Sequence, residues 1–320
     1  MPSPASIVDR VLDATIAPGF SAIGSGVRRR LAEWGPPIER DISGNTYVVT
    51  GTTSGIGAEV VRELTRAGAR VLAVGRDRQR TETSAAALGA EPVVADMSDL
   101  EAVREACRHI LAETERLDGL VHNAGALVAE RVDNAAGIES TVAAQVLGPF
   151  LMTSLLLDRL SSEAAQPGRV VTVASGGMYA AGLSTGSLQM PAESYRGSEQ
   201  YARAKRAQVT LNEMWADRVD PNQVVFHAMH PGWADTPGVR SSLPRFHRTL
   251  SPVLRSPADA ADTVLWLLTS EEGSASSGGF WHDRRRRATH RLPTTRRTDT
   301  AARRQQLWDW VVEQTDDPLS

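Results

Sequence analysis

The sequence predicts an α/β fold in which helices flank a doubly wound parallel sheet. Three observations support this prediction: short apolar runs alternate with helical stretches from Thr46 onward, the first run leads into a glycine-rich turn, and small or polar residues follow several of the other runs. Such alternation is typical of crossover units, which place successive strands parallel in one sheet. At 320 residues the chain is long enough to bury a substantial core.

Composition limits the classes of protein to which the chain can belong. A formal net charge of −3 and an isoelectric point near 6.2 argue against a nucleic-acid-binding protein. The single cysteine, Cys107, excludes an internal disulfide and fits a reducing compartment. The sequence shows neither a run of about eighteen apolar residues nor a signal-peptide pattern. We therefore expect a cytoplasmic protein with no bound metal and no nucleic-acid partner.

Residues 1–40 form a predicted N-terminal helical arm, and residues 41–320 form the main domain. Apolar residues recur at helical spacing over 5–34, which predicts two short helices with a break at Pro18-Gly19. The three arginines at 28–30 are compatible with weak contact to a membrane surface or a partner. Packing of the arm's apolar face on the domain is the favoured interpretation.

The main domain begins with the first of seven predicted strands. These strands are 47–50, 70–74, 92–95, 119–123, 169–174, 223–228 and 279–281. Helices are predicted from the glycine-rich turn to about 67, and over about 99–115, 138–162, 257–269 and 303–314. The C-terminal extension, 283–320, carries a basic patch at positions 284–287, 291, 296 and 297. This patch is compatible with phosphate binding, but a solvated loop is favoured because the whole chain is acidic.

A glycine-rich turn links the first strand to the helix that follows it. Gly51, Gly55 and Gly57 have the spacing Gly-x-x-x-Gly-x-Gly. The backbone N–H groups and the dipole at such a helix start can hold a pyrophosphate. The turn alone is a weak indication, but its place after the first strand of a crossover series predicts nucleotide binding.

Residues at the ends of the later strands point to the same edge of the sheet. The second strand ends at Gly75-Arg76 without a carboxylate, which favours NADP over NAD because arginine accommodates a 2′-phosphate; alternatively, Arg76 is only a solvated loop charge. Asp96-Met97 and Asn123-Ala124-Gly125 follow the third and fourth strands, where doubly wound sheets bind ligands. Ser175 follows the fifth, and its hydroxyl can polarise a carbonyl oxygen or merely cap a turn.

Tyr201 and Lys205 lie four residues apart in a helix-favouring stretch, so they share one helix face. Lys205 is the only lysine in the sequence, and every other basic position, histidine aside, is an arginine. A nearby cation lowers the pKa of a phenol by about one to three units, which makes it a usable general acid/base. The pair therefore predicts proton-transfer chemistry.

Together these motifs closely resemble the short-chain dehydrogenase/reductase (SDR) superfamily, with its Rossmann-type, NAD(P)-binding fold. The match runs from about Asn45 to Phe280 and preserves the order of five motifs, including Pro231-Gly232. Two further stretches, Ser175–Met178 and Met229–Arg240, resemble a branch of the superfamily that has an amino-terminal extension before the first strand.

The resemblance implies a role for each matched residue. Tyr201 is the general acid/base, Lys205 holds the nicotinamide ribose and lowers the pKa of the phenol, and Ser175 orients the substrate. The residues implied to bind the cofactor are Gly51, Ser54, Gly55, Ile56 and Gly57 at the pyrophosphate, Asp96 and Met97 at the adenine, Asn123, Ala124 and Gly125 at the adenosine and ribose, and Pro231, Gly232 and Thr236 at the nicotinamide. The implied reaction is hydride transfer between NADP(H) and an alcohol or carbonyl group. Members often pair, so the resemblance is compatible with a homo-oligomer; alternatively, the arm or the C-terminal extension blocks the pairing.

Two departures from the superfamily pattern concern catalysis and substrate. Gln145 occupies the place of an asparagine that holds a relay water, so we expect impaired proton relay and slower turnover. Ser175 and Tyr201 are 26 residues apart, about twice the usual separation, as in the retinol-dehydrogenase-like branch. The inserted loop, 176–200, is predicted to cover an apolar pocket lined by Met178, Tyr179, Leu183, Leu188, Met190, Trp233, Phe246 and Trp281. An alternative is that these side chains pack as core.

The leading hypothesis is an NADP-dependent oxidoreductase for an apolar alcohol, aldehyde or ketone. A second hypothesis is a catalytically weak NADP(H)-binding sensor or scaffold, which is favoured by Gln145 and the arm. A third is peripheral membrane attachment through residues 1–40.

Overall fold

The computed structural model describes residues 4–161 and 166–316. Its sheet contains the strands β1 (Thr46–Thr50), β2 (Arg70–Gly75), β3 (Glu91–Val94), β4 (Gly119–His122), β5 (Gly168–Val173), β6 (Val224–Met229), β7 (Gly279–His282) and β8 (Arg285–Arg286). The strand order is β3-β2-β1-β4-β5-β6-β7-β8. Strands β1 to β7 are parallel, and β8 pairs antiparallel with β7.

Helices precede and connect the strands. They are α1 (Pro4–Ala14), α2 (Ile16–Phe20), α3 (Ala22–Leu31), α4 (Gly55–Arg66), α5 (Arg78–Leu88), α6 (Leu100–Glu113), α7 (Ser140–Val142), α8 (Gly148–Leu160), α9 (Gly197–Ala216), α10 (Pro237–Ser242), α11 (Pro244–Leu250), α12 (Pro257–Thr269), α13 (Pro293–Thr298) and α14 (Ala301–Thr315). A π-helical segment, Ala143–Leu147, joins α7 to α8, and short 3₁₀ turns cover Gly176–Ala180, Ala192–Ser194 and Ser251–Val253.

The sheet is covered on both faces, which confirms the doubly wound α/β prediction. Apolar residues of α4, α5 and α12 form a core on one face, and residues of α6, α8, α9 and α14 form a core on the other. Strands buried on both faces read as continuous apolar runs rather than as alternating ones. The strand order reverses between β1 and β4, and the carboxyl ends of these two parallel strands meet at one edge of the sheet.

The predicted strands agree with the observed ones to within about two residues. Strand β8 and the helices α5, α10, α11 and α13 were not predicted. The arm also differs, because it contains three helices rather than two and Pro18-Gly19 lies inside α2. Pro18 is tolerated there because it occupies the first turn, where its missing N–H has no helical partner to lose.

The arm packs on the domain through the face opposite to the predicted one. Ile7, Val11 and Ile16 of the apolar stripe are 50%, 59% and 60% exposed, whereas Asp9 and Arg28 are buried. The reason is charge pairing: Asp9 and Arg28 bind each other and charged residues beyond β7. Apolar periodicity identified the helices but gave the wrong inward face.

Part of the arginine patch is an internal pairing site, whereas Arg286, Arg296 and Arg297 are exposed, as predicted for a solvated loop. Arg284 pairs with Asp262 of α12, and Arg287 and Arg291 pair with Asp9 and Asp13 of the arm. The side chains of Arg284 and Arg287 are only 6% and 7% exposed. These three arginines are therefore committed to carboxylates of the same chain.

One stretch in the described part of the chain, Ser140–Leu160, is long and apolar enough to cross a membrane, but 72% of its apolar window is buried inside the protein. Its contacts with α6, β4 and β5 are those of a core helix.

Candidate active site

Helix α9 brings Tyr201 and Lys205 to the carboxyl end of β5. Lys205 is 3% exposed, and its Nζ donates a hydrogen bond to the carbonyl of Val173 at 3.0 Å. The same Nζ lies 5.4 Å from the centroid of the Tyr201 ring. The helical spacing thus places the phenol and the ammonium beside each other, as the sequence predicts.

The pKa values of this pair contradict one expectation. Burial lowers the pKa of Lys205 to about 7, and burial raises the pKa of Tyr201 above its ordinary value, opposed by a hydrogen bond with Ser175. The expected lowering by Lys205 is absent. An amine with a pKa of about 7 is neutral at the higher pH where the phenol titrates, so it does not favour the phenolate.

Ser175 begins the 3₁₀ turn after β5 and faces Tyr201. Its Oγ accepts a hydrogen bond from the N–H of Gly177 at 3.1 Å. A Cβ at Gly177 would lie 3.4 Å from Ser175 Oγ and 3.9 Å from two ring carbons of Tyr201. The backbone of Gly177 therefore borders the space in front of both hydroxyl groups.

The glycine-rich turn has the geometry of an anion site. Gly51 and Gly55 adopt φ values of +73° and +62°, which favour glycine. The side chain of Ser54 makes no cap hydrogen bond to α4, so the first N–H groups of this twelve-residue helix stay available for a ligand. These residues fit the pyrophosphate of a dinucleotide.

Asn123 holds the glycine-rich turn against β4. Its Nδ2 donates to the carbonyls of Thr50 and Gly51, both at 3.0 Å, and the hydroxyl of Thr50 accepts from the N–H groups of Asn123 and Ala124. A Cβ at Gly57 would lie 2.5 Å from Asn123 Nδ2. Asn123 thus shapes the cofactor site by bracing its backbone, and Thr50 is a site residue that our sequence analysis missed.

Charged residues at the ends of β2 and β3 differ in their availability. Arg76 is exposed, whereas Asp77 caps α5 by accepting from the N–H of Arg80 at 2.8 Å. Asp96 binds Ser98 and is partly exposed. Met97 is 5% exposed and its side chain belongs to the core; its place at the adenine stays a prediction.

The loop after β6 approaches the glycine-rich turn. Gly232 has a φ of +79°, and Thr236 caps α10 by accepting from the N–H of Val239. A Cβ at Gly55 would lie 3.1 Å from the methyl group of Thr236. The Pro231–Thr236 loop and the turn thus form two adjacent walls of one groove.

Gln145 lies in the π-helical segment, below Gly125. Its Nε2 donates to the carbonyl of Ala126 at 2.7 Å, and its Oε1 is buried without a hydrogen-bond partner among the described residues. Gln145 lines a cavity of about 30 Å³ with His122, Gln208 and Asn212. Each of these four side chains has a buried polar atom that lacks such a partner, and the space suits one or two waters. The last three residues were not predicted.

Most of the predicted apolar pocket is core. Met178, Tyr179, Leu183, Leu188 and Met190 are all less than 10% exposed. The prediction that Trp281 lines the pocket is also wrong, because its side chain packs on Trp266 and donates a hydrogen bond to His227. Trp233 and Phe246 remain partly exposed and meet edge to face at 5.2 Å. A separate cleft of about 900 Å³ reaches Gly177, and its lining mixes polar and apolar groups of loop 180–187 and α9.

The chain matches known proteins along most of its length. The family model described as short chain dehydrogenase matches residues 45–245. Dehydrogenase/reductase SDR family member 12 of Bos taurus is 37% identical over 282 residues, which cover 86% of this chain and 88% of that protein. Human retinol dehydrogenase 13 is 30% identical over 252 residues, or 74% of this chain and 75% of that protein.

Solved structures share the fold. A Pseudomonas aeruginosa RhlG/NADP active-site complex has a TM-score of 0.62 at 23% identity, covering 75% of this chain and 94% of that one. A 3-ketoacyl-(acyl-carrier-protein) reductase from Brucella melitensis complexed with NADH has a TM-score of 0.60 at 24% identity, covering 75% and 96%. The order of the motifs, the sheet and these matches agree: the chain belongs to the short-chain dehydrogenase/reductase family and is an oxidoreductase of CH–OH and C=O groups.

Proposed function

We propose that this protein transfers hydride between NADP(H) and the alcohol or carbonyl group of an apolar substrate. The observation that carries the proposal is the space in front of Gly177. A Cβ on that glycine would lie within 4 Å of both the hydroxyl of Ser175 and the ring of Tyr201. A carbonyl oxygen in this space can receive hydrogen bonds from both groups.

In the direction of reduction, Tyr201 donates its phenolic proton to the carbonyl oxygen, and Ser175 orients that oxygen. The nicotinamide, when bound, supplies the hydride. The raised pKa of Tyr201 keeps the phenol protonated at neutral pH, which suits a general acid. Lys205, with a pKa of about 7, exchanges protons readily beside the phenol.

Replacing Tyr201 by Phe should lower kcat by about 10²- to 10⁴-fold.

Arg76 supports the choice of NADP. It is exposed at the end of β2, and the nearest carboxylate along the chain, Asp77, is engaged in a helix cap. We expect Arg76→Ala to weaken NADPH binding by about tenfold and to leave NADH binding unchanged, because the 2′-phosphate loses its cation. Arg78→Ala, an exposed neighbour, is the matched control. Equal use of NADPH and NADH by the wild type would contradict this assignment.

The partly exposed Trp233 and Phe246 support an apolar substrate. A turnover screen with NADPH should therefore favour bulky apolar aldehydes and ketones over small polar sugars of the same carbonyl type. The screen also tests the mixed cleft beside Gly177, since carbonyl substrates with a polar tail would be preferred if the substrate lies there. Activity confined to polar sugars would overturn the substrate class.

The variant Lys205→Arg distinguishes an enzyme from the alternative, a weakly active NADP(H) sensor. If the ammonium takes part in turnover, this variant should lose activity by orders of magnitude, because a planar guanidinium cannot replace it. NADPH binding by the wild type without turnover of any carbonyl would favour the sensor.

The exposed face of the arm supports peripheral membrane contact. Six of the nine exposed large hydrophobic residues in the described part of the chain lie in the arm, namely Ile7, Val8, Val11, Ile16, Ile23 and Leu31. Exposed Arg10 and Arg30 accompany them, as expected for a surface that meets anionic lipid. Flotation with anionic vesicles should be lost when Ile7, Val11 and Ile23 are changed to Ser. Val132→Ser, at an exposed site outside the arm, should have no effect.

A further inference from the structure

The arm inserts one aromatic side chain between the turn after Ser175 and the loop that begins at Pro231. Phe20 is 5% exposed, and its ring meets His230 edge to face at 4.3 Å between centroids. A Cβ at Gly176 would lie 2.8 Å from Phe20 Cε2. Phe20 is thus packed against the residue after Ser175 and against the residue before Pro231.

His230 joins the same two loops by a hydrogen bond. Its Nδ1 accepts from the N–H of Gly176 at 3.0 Å. Burial, together with the neighbouring His282, holds the pKa of His230 well below its ordinary value, so the ring is neutral and Nδ1 stays an acceptor at physiological pH. The position of His230 therefore fixes the Ser175 turn relative to the Pro231 loop.

The backbone of the arm is bound to that loop as well. The N–H of Trp233 donates to the carbonyl of Phe20 at 2.8 Å. Arg255 donates from Nε to Phe20 at 2.9 Å and to Ser21 at 3.2 Å. Its guanidinium lies directly beneath Gly232, where a Cβ would come within 2.2 Å of Nε. The conformation of Gly232 thus depends on an arginine that the arm holds.

A buried carboxylate completes the connection. Asp283 accepts hydrogen bonds from Arg28 of the arm and from Arg255, and the side chains of all three are at most 3% exposed. Removing Arg28 leaves Asp283 and Asp9 without one of their partners and weakens the attachment of the arm to the loop.

We propose that Phe20 and Arg28 are positioning residues for the nicotinamide half of the cofactor. They act through His230 and Arg255, which hold the Ser175 turn and the Pro231–Thr236 loop. The adenosine half, by contrast, is expected at β2 and β3, outside the contacts of Phe20 and Arg28 described above. This inference rests on the proposed NADP(H)-dependent function.

Two nucleotide probes separate positioning from general damage. Phe20→Ala and Arg28→Ala should weaken NADPH binding by about tenfold, measured by nicotinamide fluorescence, and should change the affinity for adenosine 2′,5′-bisphosphate by less than about twofold. The reason is that this probe lacks the nicotinamide half. Arg29→Ala is the matched control, because Arg29 is on the same helix but pairs with Asp259 at the surface.

Conservative variants keep the test decisive if either alanine variant fails to fold. Phe20→Leu and Arg28→Lys retain part of the packing and the charge, and they should give intermediate losses for NADPH alone. Equal weakening of both probes, or no weakening of NADPH in folded variants, would overturn the positioning role. Failure of the wild type to bind NADPH would instead overturn the proposed function itself.

Discussion

At the scale of single residues, Lys205 is unusual because its ammonium is buried against a carbonyl and not against a carboxylate. Its only hydrogen bond among the described residues is to Val173. Burial without an opposite charge disfavours the charged form, which is why its pKa falls to about 7. Burying Lys205 therefore lowers the stability of the folded protein by an amount that depends on pH.

This cost predicts how stability changes when Lys205 is replaced by Met. Between the folded pKa of about 7 and the ordinary value near 10.5, the unfolded chain binds a proton that the folded chain does not. The wild type should thus gain stability relative to Lys205→Met as pH rises through this window, by about 1.4 kcal/mol per pH unit. Urea unfolding of both proteins at pH 7.5 and 9 measures the change. A difference that stays constant would refute the lowered pKa.

Gly177 leads to a prediction about the substrate space. A methyl group at this position meets no atom closer than 3.4 Å, so Gly177→Ala should fold normally. The methyl group would nevertheless stand beside the hydroxyl of Ser175 and the ring of Tyr201 and should lower kcat/KM by tenfold or more for bulky carbonyls. Gly186→Ala is the control, since a Cβ there meets nothing within 4 Å. Unchanged kinetics for Gly177→Ala would mean that the substrate binds elsewhere.

At the scale of elements, the π-helical segment Ala143–Leu147 sets the position of Gln145. Such segments occur frequently at functional sites. This one turns Gln145 toward the loop after β4, where Nε2 binds Ala126 and the side chain borders the polar cavity. The amide thus fills space beside a cavity that suits one or two waters.

We therefore expect Gln145→Asn to raise kcat several-fold. The shorter amide no longer fills the space below Gly125, and water in the enlarged cavity can carry protons more freely. Steady-state kinetics in H₂O and D₂O provide the measurement, and the solvent isotope effect should change with kcat. A lower kcat together with lower thermal stability would show that Gln145 mainly supports the fold.

At the scale of the whole molecule, ion pairs join the N-terminal arm to the residues that follow β7. Asp9 lies between Arg28 and Arg287, and Asp283 lies between Arg28 and Arg255. Burial alone would raise the pKa of each carboxyl group, but Arg287 and Arg28 hold the pKa of Asp9 below the ordinary value near 3.8, and His282 with Arg255 and Arg28 does the same for Asp283. The arm is therefore bound by charges that acid can remove.

The sign of these shifts predicts acid release of the arm. A carboxyl group with a lowered folded pKa stabilises the protein above its ordinary pKa, and this contribution is lost as pH falls through the folded pKa. Below about pH 4, protease cleavage within the first 31 residues should accelerate before the domain unfolds. Asp283→Asn should show rapid cleavage already at pH 7. Simultaneous loss of arm and domain in the wild type would contradict a separately bound arm.

The sequence by itself determined the order of the strands along the chain, the doubly wound class and the placement of Tyr201, Lys205, Ser175 and the glycine-rich turn. These features have local signals: apolar runs, helical spacing and glycines next to strand ends. Helix α9 places Tyr201 and Lys205 on one face whatever the rest of the fold does. The residues that define each of these motifs are thus close together in the sequence, which is why the sequence alone predicts their positions.

Only the tertiary structure decided which face of the arm turns inward, that Arg284, Arg287 and Arg291 pair inside the chain, and that Met97 and Trp281 are core. Arg28 and Asp283 are separated by 255 residues, and no periodicity records such a pair. The depth of burial also decided the pKa of Lys205, because a neighbour four residues away in the chain does not reveal how much water remains around either group. Long-range charge pairing and desolvation arise only when distant segments pack together.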